Sequence, residues 1–107
     1  MTKKNLRVRQ GDVMITRVAA LPKGTRKTRA DGALAYGEVT GHSHRVADLA
    51  EAEVFDVPEK GCYVRVTGEG GVSIVHEEHG AVLLPRGNYR VTIQREYSPH
   101  EIRNVVD

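Results

Sequence analysis

Apolar and polar residues alternate along most of this chain with a period of two. In residues 89–97, Tyr89 and Val91 share one side with other apolar residues, while polar residues occupy the other side. Residues 62–67 alternate in the same way, and residues 13–19 form a largely apolar run rich in β-branched side chains. A period of two is that of a β-strand, whose successive side chains point to opposite faces. These segments therefore predict strands.

Turn-forming residues separate the strand-like segments. Residues 68–71 contain three glycines, and residues 85–88 contain Pro85 and Gly87. Roughly seven short strands with Gly- and Pro-containing turns between them are typical of an all-β fold. We predict a small antiparallel β-barrel or sandwich, built as a single domain from residues 1–107.

A short helix is predicted at the C-terminus. Ser98 and Glu101 have the spacing of a capping box, and Pro99 suits the first helical position. The prediction is a helix over residues 99–106, with an apolar stripe that covers the barrel or a partner subunit. Because a domain of this size buries a modest core, we expect a homo-oligomer. Residues 45–52 fit either one or two helical turns or an acidic loop.

Charge is distributed unevenly, although the net charge is only +2. Residues 1–30 contain nine Lys and Arg and one acidic residue, whereas residues 31–107 contain seven and thirteen. The basic residues belong mainly to an N-terminal arm (1–9) and a loop (22–32): Lys3, Lys4, Arg7, Arg9, Lys23, Arg26, Lys27 and Arg29. A contact to nucleic acid is one interpretation. We favour a solvated surface, because no aromatic stacking residues interleave with these charges.

The cysteine content, the apolar runs and the N-terminus indicate the cellular compartment. The single Cys62 excludes an internal disulfide and an all-cysteine zinc site. No apolar run approaches the ~20 residues needed to cross a bilayer, so no membrane partner is expected. The basic N-terminus has no hydrophobic segment behind it, unlike a secretory signal. We therefore expect a cytoplasmic protein.

Four of the five histidines lie in two short clusters. His42 and His44 belong to the segment GEVTGHSHR, and His76 and His79 belong to HEEH. On a strand, His42 and His44 would point to the same face. Two ligands from one strand and a third from a neighbouring strand complete the three-histidine tripod of an open zinc site. We predict a metal site at these four histidines, and His76 and His79 can both bind only if the chain turns after His76.

Three charged residues adjoin the histidines. Glu77 and Glu78 are candidates for a metal ligand or a catalytic proton acceptor. Arg45 is a candidate for holding an anionic substrate. For each of the three, the simpler interpretation is a solvated surface side chain.

Several resemblances extend this prediction. The pair of motifs His42-Ser-His44 and Pro85-Arg-Gly87 resembles the two motifs of cupins, which implies a small β-barrel with an iron or manganese site. A His-x-His strand with one further histidine is similar to the zinc tripod of α-class carbonic anhydrases. The strings QGDV, GEVTGHSHR and HEEH resemble those of short uncharacterised bacterial proteins, a likeness that implies no function.

These observations together predict a zinc-dependent enzyme that acts on a small molecule. Metal-bound hydroxide is the only strong nucleophile that the sequence suggests, and the specific expectation is carbon dioxide hydration. The alternatives are a cupin-like iron or manganese enzyme, and a non-enzymatic module that binds nucleic acid or protein and has a structural metal site.

Overall fold

Residues 6–36 and 42–93 are described by a computed structural model, and they form two antiparallel β-sheets. Short strands follow one another with tight turns between them, as the alternating sequence requires. The ten strands of these residues are β1 (Arg7–Gln10), β2 (Val13–Val18), β3 (Lys27–Thr28), β4 (Ala33–Tyr36), β5 (Ser43–Val46), β6 (Ala52–Val57), β7 (Gly61–Val66), β8 (Val72–Val75), β9 (Val82–Leu84) and β10 (Gly87–Ile93).

The larger sheet has six strands in the order β1-β2-β10-β7-β6-β3. In its centre β2 pairs with β10, from Val18 opposite Asn88 to Val13 opposite Ile93. Alternate residues of β2 turn inward, so that Val13 and Ile15 are buried while Met14 and Thr16 are half-buried. Within residues 13–16, every second residue is thus buried, which matches the alternation with a period of two in the sequence.

The smaller sheet has four strands in the order β4-β5-β8-β9. Strand β5, which carries His44, lies beside β8, with Arg45 opposite Val75 and Val46 opposite Ile74. This pairing places the two histidine-bearing segments next to each other, because His76 follows β8 directly.

One apolar core joins the two sheets. Its buried side chains come from strands of both sheets, and aliphatic residues dominate it: Val13, Ile15, Leu34, Val46, Ala52, Val54, Val64, Val66, Val72, Ile74, Leu84, Tyr89 and Val91. A second, smaller cluster on the other side of the large sheet contains Phe55, Val57 and Tyr63, with Leu21 packed against it. The guanidinium of Arg26 stacks over Phe55, 4.3 Å from the ring centroid.

The all-β prediction is confirmed for the described residues. Their strands form two sheets and do not close into a barrel. The predicted helix over residues 99–106 lies outside the described residues, as do Lys3 and Lys4 of the basic arm. No helix with the length and apolar character needed to span a bilayer occurs in residues 6–36 and 42–93.

Two local predictions need correction or refinement. The basic loop (22–32) is not entirely loop, because β3 pairs with β6 at Lys27 and Thr28. Arg45 and Val46 end β5 and Ala52 begins β6, so the loop interpretation of residues 45–52 holds only for residues 47–51, which form a bend and a turn. Backbone hydrogen bonds from Thr67 and Gly68 to the Glu51 carbonyl hold this segment, with N···O distances of 2.9 and 3.1 Å.

Candidate metal centre

The histidine cluster, defined as His42, His44, His76 and His79, lies at one end of the small sheet. His42 directly precedes β5 and His44 lies within it, whereas His76 and His79 belong to the bend after β8. The turn between β1 and β2 of the large sheet covers this end. The cluster is therefore built where the two sheets meet.

His76 is the hub of the cluster. Its ring centroid lies 4.2 Å from that of His44, 4.7 Å from that of His79 and 5.7 Å from that of His42. The rings of His44 and His79 are 5.8 Å apart and nearly parallel. The bend after β8 brings His76 and His79 together. The chain therefore turns after His76, which is the condition under which both histidines can belong to one site.

Two histidines and one carboxylate are already close to a coordinating arrangement. One possible ligand atom each from His42, His76 and Glu77 lie within 4.8 Å of one another. A tetrahedral zinc ion with bond lengths of 2.0–2.1 Å needs ligand atoms about 3.4 Å apart. Two imidazoles and one carboxylate are donor types that a transition metal accepts.

Glu77 already has partners for both carboxylate oxygens. Oε1 accepts a hydrogen bond from the backbone N–H of Ser43 at 2.9 Å, and Oε2 lies 3.0 Å from Nη1 of Arg45. The bond from Ser43, with the charge and hydrogen bond of Arg45, lowers the pKa of Glu77 to about 2. Through these two contacts Glu77 links the bend after β8 to the beginning of β5.

Glu78 contacts two histidines through different groups. Its backbone N–H donates to Nδ1 of His76 at 3.0 Å, so that this nitrogen carries a lone pair. A metal bound at the same nitrogen would replace this N–H. The Glu78 carboxylate is largely exposed and lies 3.7 Å from Nδ1 of His42. Glu78 therefore contacts a histidine of each segment.

His44 is the buried member of the cluster, with an exposed fraction of 6%. Its Nδ1 lies 2.8 Å from Oε1 of Gln10, which is itself 3% exposed. Burial, followed by the proximity of His76 and His79, lowers the pKa of His44 to about 4. His44 is therefore neutral at physiological pH, as a metal ligand must be.

Gly11 packs directly against the cluster. Its φ is +59°, and a Cβ atom built at this position would lie 2.7 Å from Nε2 of His79 and 3.3 Å from Cε1 of His44. Glycine adopts this left-handed backbone at no steric cost and leaves room for both rings.

The comparisons with known proteins identify a family. The family model described as Domain of unknown function (DUF8820) matches residues 9–94. The chain belongs to this family. No curated protein and no solved structure matches it.

The DUF8820 match spans every residue of the centre. All seven residues predicted from the sequence lie together within it: His42, His44, Arg45, His76, Glu77, Glu78 and His79. Sequence reasoning missed Gln10 and Gly11 of the DUF8820 domain, because QGD indicates only a turn. Their contact with the cluster depends on the packing of the two sheets.

Acidic residues of β6 neutralise part of the charge of the basic loop of the DUF8820 domain. Arg29 forms two hydrogen bonds to Asp56, at 2.7 and 2.8 Å, and Arg26 lies 3.5 Å from Glu53. These pairs reduce the positive charge that the loop offers to a polyanion.

Proposed function

We propose that this protein binds one divalent transition metal per chain at the histidine cluster, with zinc as the first candidate. The packing of three imidazole rings, those of His42, His44 and His79, around His76 is the observation that carries the proposal. Imidazole is a preferred ligand of zinc, and neutral rings with free lone pairs suit a cation. Burial of His44 and the bend after β8 supply such rings from two segments.

We further propose that the bound metal activates water. Three protein ligands leave a fourth position of zinc for water, whose pKa falls to about 7. The exposed Glu78, or the histidine that is not a ligand, would accept the proton that this water loses. Cys62 is a poor alternative nucleophile, because burial raises the pKa of its thiol to about 11.

The proposed reaction is hydration of carbon dioxide. A metal held by the cluster would supply hydroxide for addition to the carbon, and one C=O electron pair would move to its oxygen as the new carbon–oxygen bond forms, to give bicarbonate. Arg45 is 41% exposed and is paired with Glu77, which lies next to His76 in the sequence. We assign it the role of attracting the anionic product or an anionic substrate.

One observation favours a second candidate metal. The set His42, His76 and Glu77 contains two histidines and one carboxylate, which is the ligand set of non-haem iron(II) sites. Iron or manganese would then support redox or isomerase chemistry of the cupin kind. We place zinc first, because Ser43 and Arg45 already occupy both oxygens of Glu77.

Elemental analysis of protein made without a histidine tag tests the centre. We expect about one zinc per chain after exposure to excess zinc and dialysis. His44→Ala and His76→Ala should each lose the metal, whereas His100→Ala should retain it, because His100 lies outside both clusters in the sequence. A wild-type protein that takes up no zinc, iron or manganese would refute the proposal.

Stopped-flow measurement of carbon dioxide hydration tests the reaction. The zinc-loaded wild type should accelerate hydration, and His44→Ala should not. An inactive zinc-loaded wild type rules out the hydratase, and equal activity in His44→Ala rules out this site. Activity that appears only with iron or manganese and an organic substrate would support the second candidate.

A further inference from the structure

The side-chain amide of Gln10 makes three hydrogen-bonding contacts in a buried position. Its Nε2 lies 2.8 Å from the carbonyl oxygen of Ile74 and 2.8 Å from that of Gly80. Its Oε1 lies 2.8 Å from Nδ1 of His44. One residue of the large sheet thus contacts β8, the end of the histidine bend and a ring of the cluster.

These contacts fix which way the amide faces. Backbone carbonyl oxygens only accept hydrogen bonds, so the group next to Ile74 and Gly80 must be the NH₂, whose two N–H bonds they accept. The opposite orientation would place the amide oxygen against two carbonyl oxygens. The group that faces His44 is therefore an acceptor without a hydrogen.

We propose that Gln10 is a positioning residue that holds His44 in the tautomer with hydrogen on Nδ1. Because Gln10 offers only an acceptor, Nδ1 must donate. A neutral imidazole carries one N–H, so Nε2 keeps its lone pair. Gln10 thus selects the ring nitrogen that is free to bind a ligand, and the rings of His76 and His79 lie 4.2 and 5.8 Å from that of His44.

The consequence for metal binding rests on the proposed function, whereas the tautomer does not. A hydrogen-bond partner behind a ligating histidine fixes its orientation and raises its basicity, and loss of such a partner costs about 10–100-fold in metal affinity. Gln10 would act in this way although it contacts no metal. A neutral amide can do this while burying no additional charge.

Two substitutions separate positioning from simple support of the fold. Gln10→Met keeps the length of the side chain but removes both the acceptor and the donors. Gln10→Glu keeps an acceptor for Nδ1 of His44 but has no NH₂ for the carbonyls of Ile74 and Gly80. Both variants should lose stability, whereas only Gln10→Met should lose control of the tautomer.

Nitrogen-15 NMR of the histidine rings, recorded near pH 8 on metal-free protein, tests the tautomer directly. We expect hydrogen on Nδ1 of His44 in the wild type and in Gln10→Glu, and hydrogen on Nε2 in a substantial part of Gln10→Met. Zinc titration should show a 10–100-fold loss of affinity in Gln10→Met and a smaller loss in Gln10→Glu.

Each result bears on one proposal. Hydrogen on Nε2 of His44 in the wild type overturns the role of Gln10, and this measurement stands even where Gln10→Met does not fold. An unchanged tautomer in folded Gln10→Met overturns it as well. The expected tautomers without any metal uptake would refute the metal centre and leave the role of Gln10 intact.

Discussion

Arg45 and Glu77 form an ion pair across neighbouring segments, with Nη1 of Arg45 3.0 Å from Oε2 of Glu77. The pair joins the strand that carries His44 to the bend that carries His76 and His79. The backbone N–H of Ser43 donates to the other oxygen of Glu77. The same carboxylate therefore fixes the spacing of both histidine segments.

We predict that Glu77→Gln weakens zinc binding more than Arg45→Gln does. Glu77→Gln removes the charge that both contacts share, whereas Arg45→Gln leaves the bond from Ser43 intact. The expected loss in Glu77→Gln is about tenfold or more, as for other residues that support ligands. Isothermal titration with zinc measures both variants. Equal losses of zinc affinity in the two variants would contradict the prediction, because they would show that Glu77 supports zinc binding only through its ion pair with Arg45.

We predict that Gly11→Ala reduces both stability and metal affinity. A Cβ at this position meets Nε2 of His79 at 2.7 Å, and a φ of +59° disfavours any side chain. The backbone cost alone is about 1–2 kcal/mol. Chemical denaturation and zinc titration provide the measurements.

Gly70→Ala is the matched control for Gly11→Ala. Its φ is not positive, and no other atom lies within 4 Å of the position that its Cβ would take. We expect wild-type stability and zinc affinity in this variant. A Gly11→Ala protein as stable as Gly70→Ala would contradict the close packing of Gly11 on the cluster.

We predict that the Arg29–Asp56 pair contributes a stability that is lost in acid. The hydrogen bonds from Arg29 lower the pKa of Asp56 below its ordinary value. A group whose folded-state pKa is depressed stabilises the fold above its unfolded pKa, near 3.9, and loses this contribution as pH falls through the folded value. Asp56 is 42% exposed, so the contribution is less than about 1 kcal/mol at neutral pH.

Asp56→Asn tests this contribution. Its stability deficit in urea denaturation should be present at pH 7 and should shrink as pH approaches 2. Glu69→Gln, in an exposed turn, removes one negative charge as the control and should show no comparable pH-dependent deficit. A deficit in Asp56→Asn that is the same at both pH values would argue against an ionic origin.

We predict that zinc raises the midpoint of thermal unfolding. A ligand at one hundred times its Kd stabilises the native state by about 2.7 kcal/mol. For a chain of this size, 1 kcal/mol corresponds to roughly 4–8 °C. Differential scanning calorimetry should therefore show an increase of about 10–20 °C at saturating zinc. His79→Ala should reduce this shift if His79 is a ligand, and an unchanged shift would exclude it from the ligand set.

The sequence predicted the strands because burial in this fold follows the simple alternation of residues. It also predicted the proximity of the two histidine segments, since β5 and β8 are antiparallel neighbours. It could not predict Gln10, whose partners Ile74 and Gly80 are 64 and 70 residues away. Nor did it predict β3, a two-residue strand that depends on its pairing with β6. Contacts between distant strands depend on sheet packing, which residue periodicity does not encode.

The three bonds of Gln10 also have a consequence for the order of folding. The bonds to Ile74 and Gly80 close loops of 64 and 70 residues and the bond to His44 closes one of 34, and contacts of such sequence separation form slowly because loop closure costs entropy. The small sheet can assemble its four strands from residues 33–84 before β1 docks. We therefore expect amide protons at the histidine bend to gain protection from hydrogen exchange late in refolding. A metal that binds only the complete histidine cluster would then bind the fully folded chain, and it would not bind a chain in which β1 has yet to pack against the small sheet.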